Sequence, residues 1–133
     1  MFKEVDHIAI VVRDTEEALN FYRDVLKLPL LFSEELTEIG VRLTHLDMGN
    51  LRLQLVQPLD KGHPLNDHLE KFGEGFHHVA WKVDDTEASM NNLNNFNLKP
   101  KPNEPHPAPN NGTAAFIDPK DTRGLLWELT STK

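Results

Sequence analysis

Two histidines, a glutamine and a glutamate carry the chemistry this chain has to offer, and their spacing reveals it. The segment from Val5 to Glu16 returns 71 residues later as Phe76 to Glu87, with His7/His78, Ala9/Ala80, Val12/Val83, Asp14/Asp85, Thr15/Thr86 and Glu16/Glu87 identical. Two copies at so long a period mark a duplicated half rather than a repeat array. Each copy sets one histidine at the same point. Farther along, Gln54 sits between Leu53 and Leu55, and Glu128 between Trp127 and Leu129, in two alternating runs. Two imidazoles, a carboxylate and an amide oxygen suit a divalent first-row metal, with positions left for water or a substrate carrying two oxygens. Such an ion acts as a Lewis acid on a carbonyl or enolate oxygen. A single histidine on a strand is ordinarily structural. The duplication is what lifts His7 and His78 above that background.

Matching elements must hold these side chains. Residues 5 to 12 are apolar and β-branched and predict a strand; Asp14 then caps a helix, with Glu17 three residues on as in a capping box. Ala18, Leu19, Tyr22, Val25 and Leu26 form the apolar stripe of that helix, which Pro29 helps to end. In the second copy Asp85 is the cap, and Met90, Leu93 and Phe96 fall at the positions of Leu19, Tyr22 and Val25. Three extended segments follow in the first half, Leu30 to Ser33, Val41 to Asp47 and Leu51 to Gln57, with a hairpin turn at Met48-Gly49-Asn50. Their counterparts are Leu98 to Lys101, Thr113 to Ile117 and Leu125 to Thr130. A Pro- and Asn-rich loop over Asn103 to Gly112 is expected to cover a site, and Pro64 to Phe72 to form a short helix between the halves.

Side chains alternate along a strand, so Ile8, Ile10 and Val12 face one way and His7 with Ala9 the other. Val79, Trp81 and Val83 repeat the packed face, and His78 with Ala80 the opposite one, which makes His78 a better ligand than His77. By the same parity Gln54 and Glu128 face away from the leucines around them. The expected fold is α+β: two tandem βαβββ modules forming a curved, mixed eight-stranded sheet, an open barrel with helices outside. Module 1 spans about 4–59, a linker about 60–75 and module 2 about 76–131 of a single domain. If both halves put their helices on one side, His7, Gln54, His78 and Glu128 all point to the concave side.

A chain of 133 residues suffices for one well-buried core. Its formal charge of −7 argues against nucleic-acid or anionic-membrane partners. The absence of cysteine removes disulfides, thiolate ligands and a cysteine nucleophile. With no apolar run at Met1-Phe2-Lys3-Glu4-Val5-Asp6 and no stretch near the ~20 apolar residues of a membrane span, the expectation is a soluble, cytoplasmic protein.

Several runs resemble the vicinal oxygen chelate (glyoxalase/bleomycin resistance/dioxygenase) superfamily, and within it the methylmalonyl-CoA epimerase family. They are Asp6-His7-Ile8-Ala9-Ile10, Leu51 to Leu59, Gly73-Glu74-Gly75-Phe76-His77-His78-Val79-Ala80 and Asp118 to Leu129. The Gly-x-His-His step, the Pro58-Leu59 pair and the Pro119-Lys120-Asp121 run with Gly124 are more specific than the bare superfamily pattern. The resemblance covers essentially the whole chain. It implies one divalent metal ion, cobalt, manganese, nickel or zinc, held by His7, Gln54, His78 and Glu128, the four residues that parity selects. It implies removal of the C2 proton of an acyl-CoA thioester and its return on the other face, with a homodimer as the common assembly.

Epimerisation wants two acid–base groups. Glu128 is the natural first, doubling as ligand and base. Some members of the family carry a glutamate where this chain has Leu43; His45 and Asp47 share that strand face and are the substitutes. Lys120 and Arg123 are candidates for the substrate carboxylate or CoA phosphates, and His106 is a weaker one. Otherwise His63, His68 and His106 read as exposed loop residues, His77 as packed, and Asn91-Asn92-Leu93-Asn94-Asn95 as an exposed helix face without function. Two other functions fit the resemblance: a glyoxalase I-type lyase acting on a glutathione hemithioacetal, and a metal-free small-molecule-binding or resistance protein. The run His63 to Phe72 resembles the epimerase linker more than the glyoxalase one. Four intact ligands argue against the binding protein.

Overall fold

The alternation read from the first strand is what organises the molecule. A computed structural model describes residues 2–102 and 104–132. The chain divides into two compact units, one made of His7–His77 and the other of the residues up to Asp6 with those from His78 onward. In the first, β1 (Glu4–Val11) runs parallel to β4 (Arg52–Pro58), and β4, β3 (Val41–Asp47) and β2 (Leu30–Leu36) follow antiparallel. In the second, β5 (Gly75–Lys82) runs parallel to β8 (Trp127–Ser131), and β8, β7 (Gly112–Phe116) and β6 (His106–Ala108) follow antiparallel. The opening residues belong with β5, where Lys3 N donates to Lys82 O at 3.0 Å. The strand order is therefore β2-β3-β4-β1 in one unit and β1-β5-β8-β7-β6 in the other, with β1 common to both. Among the described residues, eight strands in mixed pairings and three α-helices make the α+β class that the sequence predicts.

Each unit packs one helix on one face of its strands. In the first, α1 (Thr15–Leu19) contributes Leu19 to a core with Val12, Leu46, Leu53 and Leu55, against which Ile8 and Ile10 pack. In the second, α3 (Thr86–Asn94) contributes Met90 and Leu93 to a core with Val83, Ala115, Ile117 and Leu129. Both helices start at the predicted caps: Asp14 accepts from Glu17 N at 3.0 Å and Asp85 from Ala88 N at 2.8 Å. The repeated threonines now have a reason. Thr15, fully buried, gives its N–H and hydroxyl to Gln57 Oε1 at 2.8 and 2.6 Å; Thr86 N and Oγ1 meet Ser131 Oγ at 3.1 and 2.8 Å. Each helix is thereby fastened to a strand three residues beyond Gln54 or Glu128.

Three expectations fail. The stripe of the first helix does not stay buried: Asn20–Val25 is a π-helical turn, closed by Leu26 N donating to Phe21 O at 2.9 Å. The wider turn rotates later residues off the 3.6-residue stripe, and Val25 is 65 % exposed, as is its counterpart Phe96 at 72 %. Leu98 to Lys101 is not a strand. Pro100 forms only an isolated bridge to Ile117, since Pro100 and Pro102 have no N–H to extend a ladder. The pairing edge of β7 is taken instead by β6, inside the segment expected to be an open loop; the first residue of that segment, Asn103, lies outside the described residues. The helix α2 (Pro64–Phe72) forms where predicted.

Candidate functional site

On the face of β1 turned away from α1, His7 and Ala9 are buried. Beside them in the parallel register stand Arg52, opposite His7, and Gln54, opposite Ala9. Gln54 in turn faces His45 across the β3–β4 pair, and Gln54 Nε2 lies 2.9 Å from His45 Nε2. Since an amide nitrogen only donates, His45 accepts there and keeps its proton on Nδ1, while the amide oxygen of Gln54 is left as the donor atom for a ligand. His45 is itself packed by Phe32, with ring centroids 4.5 Å apart, and by His7 at 5.6 Å. An apolar floor of Ala9, Val41, Leu43 and Val56 completes this surface.

The second unit repeats the arrangement with one change. His78 and Ala80 are buried on β5, and Glu128 pairs with Ala80 as Gln54 does with Ala9. The residue facing Glu128 across the β7–β8 pair is Phe116, 71 positions after His45. Glu128 Oε1 lies 3.5 Å from His78 Nε2, and its Oε2 lies 3.3 Å from His106 Nε2. The other nitrogen of His106, Nδ1, is hydrogen-bonded to Glu104 Oε2. Phe116 stacks on His106 with centroids 5.2 Å apart and meets His78 edge-on at 4.9 Å. Burial opposes a charge on His106, but hydrogen bonds and attraction from Glu104 and Glu128 outweigh it and push its pKa up to about 9.

His106 is therefore not the exposed loop residue the sequence suggests; β6 turns it into a carboxylate pair. His63 and His68 are also half-buried. His63 Nδ1 caps α2 by accepting from Leu65 N at 3.1 Å, and His68 packs edge-on against His77 at 5.1 Å. Asp47 belongs to the hairpin turn, where its Oδ1 accepts from Gly49 N at 2.7 Å. Lys120 and Arg123 stand exposed on the turn before β8. The residues that sequence reasoning missed are Glu104, Phe116 and Arg52. Arg52 was legible in principle from parity with Gln54, whereas Glu104 was hidden in a run of prolines and asparagines.

A family model described as Glyoxalase/Bleomycin resistance protein/Dioxygenase superfamily matches residues 6–116. The chain belongs to this superfamily. Among relatives within it, YqjC, an uncharacterized protein of Bacillus subtilis, is 33 % identical over 97 % of this chain and 92 % of its own. The mitochondrial methylmalonyl-CoA epimerase of Mus musculus is 32 % identical over 94 % of this chain and 71 % of its own. Among solved structures of the superfamily, a Streptomyces coelicolor methylmalonyl-CoA epimerase variant in complex with 2-nitronate-propionyl-CoA is 28 % identical. It covers 99 % of both chains with a TM-score of 0.89. No helix among the described residues is long and apolar enough to cross a membrane.

Proposed function

We propose that this chain is a methylmalonyl-CoA epimerase in which His7, Gln54, His78 and Glu128 hold one divalent metal ion. The observation that carries the reading is the register: Gln54 and Glu128 stand beside Ala9 and Ala80, each two residues after a buried histidine on the same strand face. The donor chemistry fits. His7, Gln54, His78 and Glu128 are all buried; imidazole, carboxylate and amide oxygen with no thiolate suit cobalt, manganese, nickel or zinc. When bound, the ion supplies Lewis acidity toward the thioester carbonyl oxygen.

Glu128 is the proton carrier. Its carboxylate takes the C2 proton, the electron pair of the broken C–H bond passes into the thioester as an enolate, and a second group in its protonated form delivers a proton to C2 on the other face; between turnovers Glu128 releases its proton to solvent and the second group takes one up. A buried carboxylate is a competent base for so weak a carbon acid only when the oxyanion is stabilised as well. Gln54 cannot share this work, because an amide does not titrate in this range. Of the two candidates for the second proton group we favour His45, since the carboxylate of Asp47 is engaged by Gly49 N in its turn. The substrate assignment draws its support from the epimerase relatives.

The test is deuterium exchange at C2 of methylmalonyl-CoA in D2O by protein loaded with each metal in turn, beside a glutathione hemithioacetal assay. Exchange in wild type, lost in Glu128→Ala, is expected. Turnover of the hemithioacetal with no exchange under any metal would overturn the epimerase in favour of a lyase. Metal content unchanged in the His7→Ala/His78→Ala double variant would overturn the metal site.

A further inference from the structure

Glu128 is asked to do two things at once, and its two oxygens are already unlike. Oε1 points toward His78, 3.5 Å from its Nε2, while Oε2 lies 3.3 Å from His106 Nε2. A carboxylate on a flexible side chain has nothing of its own to distinguish one oxygen from the other. Here the distinction comes from His106, and His106 is held on two more sides, by the Glu104 carboxylate at Nδ1 and by the Phe116 ring stacked 26° from its plane. The side chains of His106, Glu104 and Glu128 are only 16 %, 9 % and 7 % exposed, so the chain of contacts is shielded from water.

The other unit achieves the same end differently. There the fourth donor is an amide, and His45, directly opposite it on the neighbouring strand, accepts its N–H. In the second unit that opposite position is Phe116, which cannot bond to Glu128, and the histidine comes instead from the next strand out, β6. The pairing of β6 with β7 is what brings His106 to this place.

We propose that Glu104 and His106 form a positioning pair that fixes the plane of the Glu128 carboxylate, turning Oε1 toward His78 and holding Oε2 apart from it. The proposal rests on the reading of Glu128 as a metal ligand. Neither residue is catalytic; both act through Glu128. A supporting partner of this kind typically contributes ten- to a hundred-fold in metal affinity or activity.

The experiment titrates metal-free full-length protein with cobalt(II), following affinity and the cobalt visible absorption band, in wild type, His106→Ala, His106→Gln and Glu104→Gln. His106→Ala is expected to weaken cobalt binding by about 10- to 100-fold and to shift the band. Glu104→Gln should move both readouts the same way by less, and His106→Gln, which keeps an N–H donor for Glu128, should recover part of the affinity. The methylmalonyl-CoA exchange rate should fall through kcat with KM little changed. Wild-type affinity and spectrum in His106→Ala would overturn the proposal, and Glu104→Gln indistinguishable from wild type would overturn the pair. Wild type that binds no cobalt overturns the metal site and this inference together. Wild type that binds cobalt but exchanges no methylmalonyl-CoA overturns the substrate alone, and the cobalt arms still decide the positioning pair.

Discussion

The two threonine fasteners make unequal contributions, and substituting each by valine measures the difference. Valine keeps the branched shape of threonine and replaces one hydroxyl by a methyl, so packing at these fully buried sites is nearly conserved. In Thr15→Val the lost bond is the 2.6 Å contact to Gln57 Oε1, and that oxygen keeps its bond from Thr15 N at 2.8 Å. No acceptor is stranded, and the loss is one net hydrogen bond, about 1 kcal/mol. Thr86 differs because its hydroxyl serves two groups, donating to Thr113 O at 2.9 Å and accepting from Ser131 Oγ at 2.8 Å. Its removal takes the 2.9 Å bond from Thr113 O, and although Ser131 Oγ still accepts from the residue-86 N–H at 3.1 Å, its own O–H is left with only the 3.4 Å contact to Thr113 Oγ1. A poorly satisfied buried hydroxyl adds a desolvation term, so Thr86→Val should cost about 2 kcal/mol. Urea unfolding read as the shift in midpoint at constant slope is the assay. A loss in Thr15→Val equal to or larger than that in Thr86→Val would refute the reasoning, as would losses below about 0.3 kcal/mol in both.

Glu128→Gln keeps an oxygen donor but cannot take up a proton, so C2 exchange should fall by about 10²-fold or more while cobalt still binds by titration. Gly112→Ala should destabilise strongly, because the added Cβ would sit 2.5 Å from the backbone oxygen of Ser131 and 3.1 Å from that of Pro109; a thermal midpoint within a degree or two of wild type contradicts this. In metal-free protein, the His106 pKa of about 9 lies above its ordinary 6.5. A raised pKa in the folded state means stability fully present below about 6.5 and lost as pH rises through about 9. At roughly 1.4 kcal/mol per unit the difference is up to about 3.5 kcal/mol. Urea midpoints of wild type against His106→Gln should therefore converge between pH 6.5 and 9.5, and a pH-independent difference would exclude the linkage.

Period-two alternation made β1 and β5 readable, because one face of each is packed against a helix and the other is not. The same parity found Gln54 and Glu128, and the caps at Asp14 and Asp85 fixed where the helices begin. The π-helical turn was invisible because Ala18 to Leu26 satisfies helical spacing perfectly well; what departs from it is the i to i+5 bonding, which the Leu26 N to Phe21 O bond exemplifies. Leu98 to Lys101 looked like a strand by analogy with the first half, but the prolines around it remove the donors a ladder needs. The Glu104–His106–Glu128 chain was illegible for a deeper reason. It depends on which strand occupies the edge beside β7, a tertiary choice that no local pattern in residues 103 to 112 encodes.

That β1 is divided between the two units bears on how the chain emerges during synthesis. The unit of His7–His77 has the partners of its β1–β4, β3–β4 and β2–β3 pairings by the time His77 leaves the ribosome, and these strands can zip while translation continues. Lys3, ahead of that unit, pairs with Lys82, which is made five residues after His77. Lys3 precedes that partner by 79 residues, so the segment ahead of His7 waits for β5 before it can pair. A chaperone that shields an exposed strand edge would find its target in the segment ahead of His7 until β5 has been made.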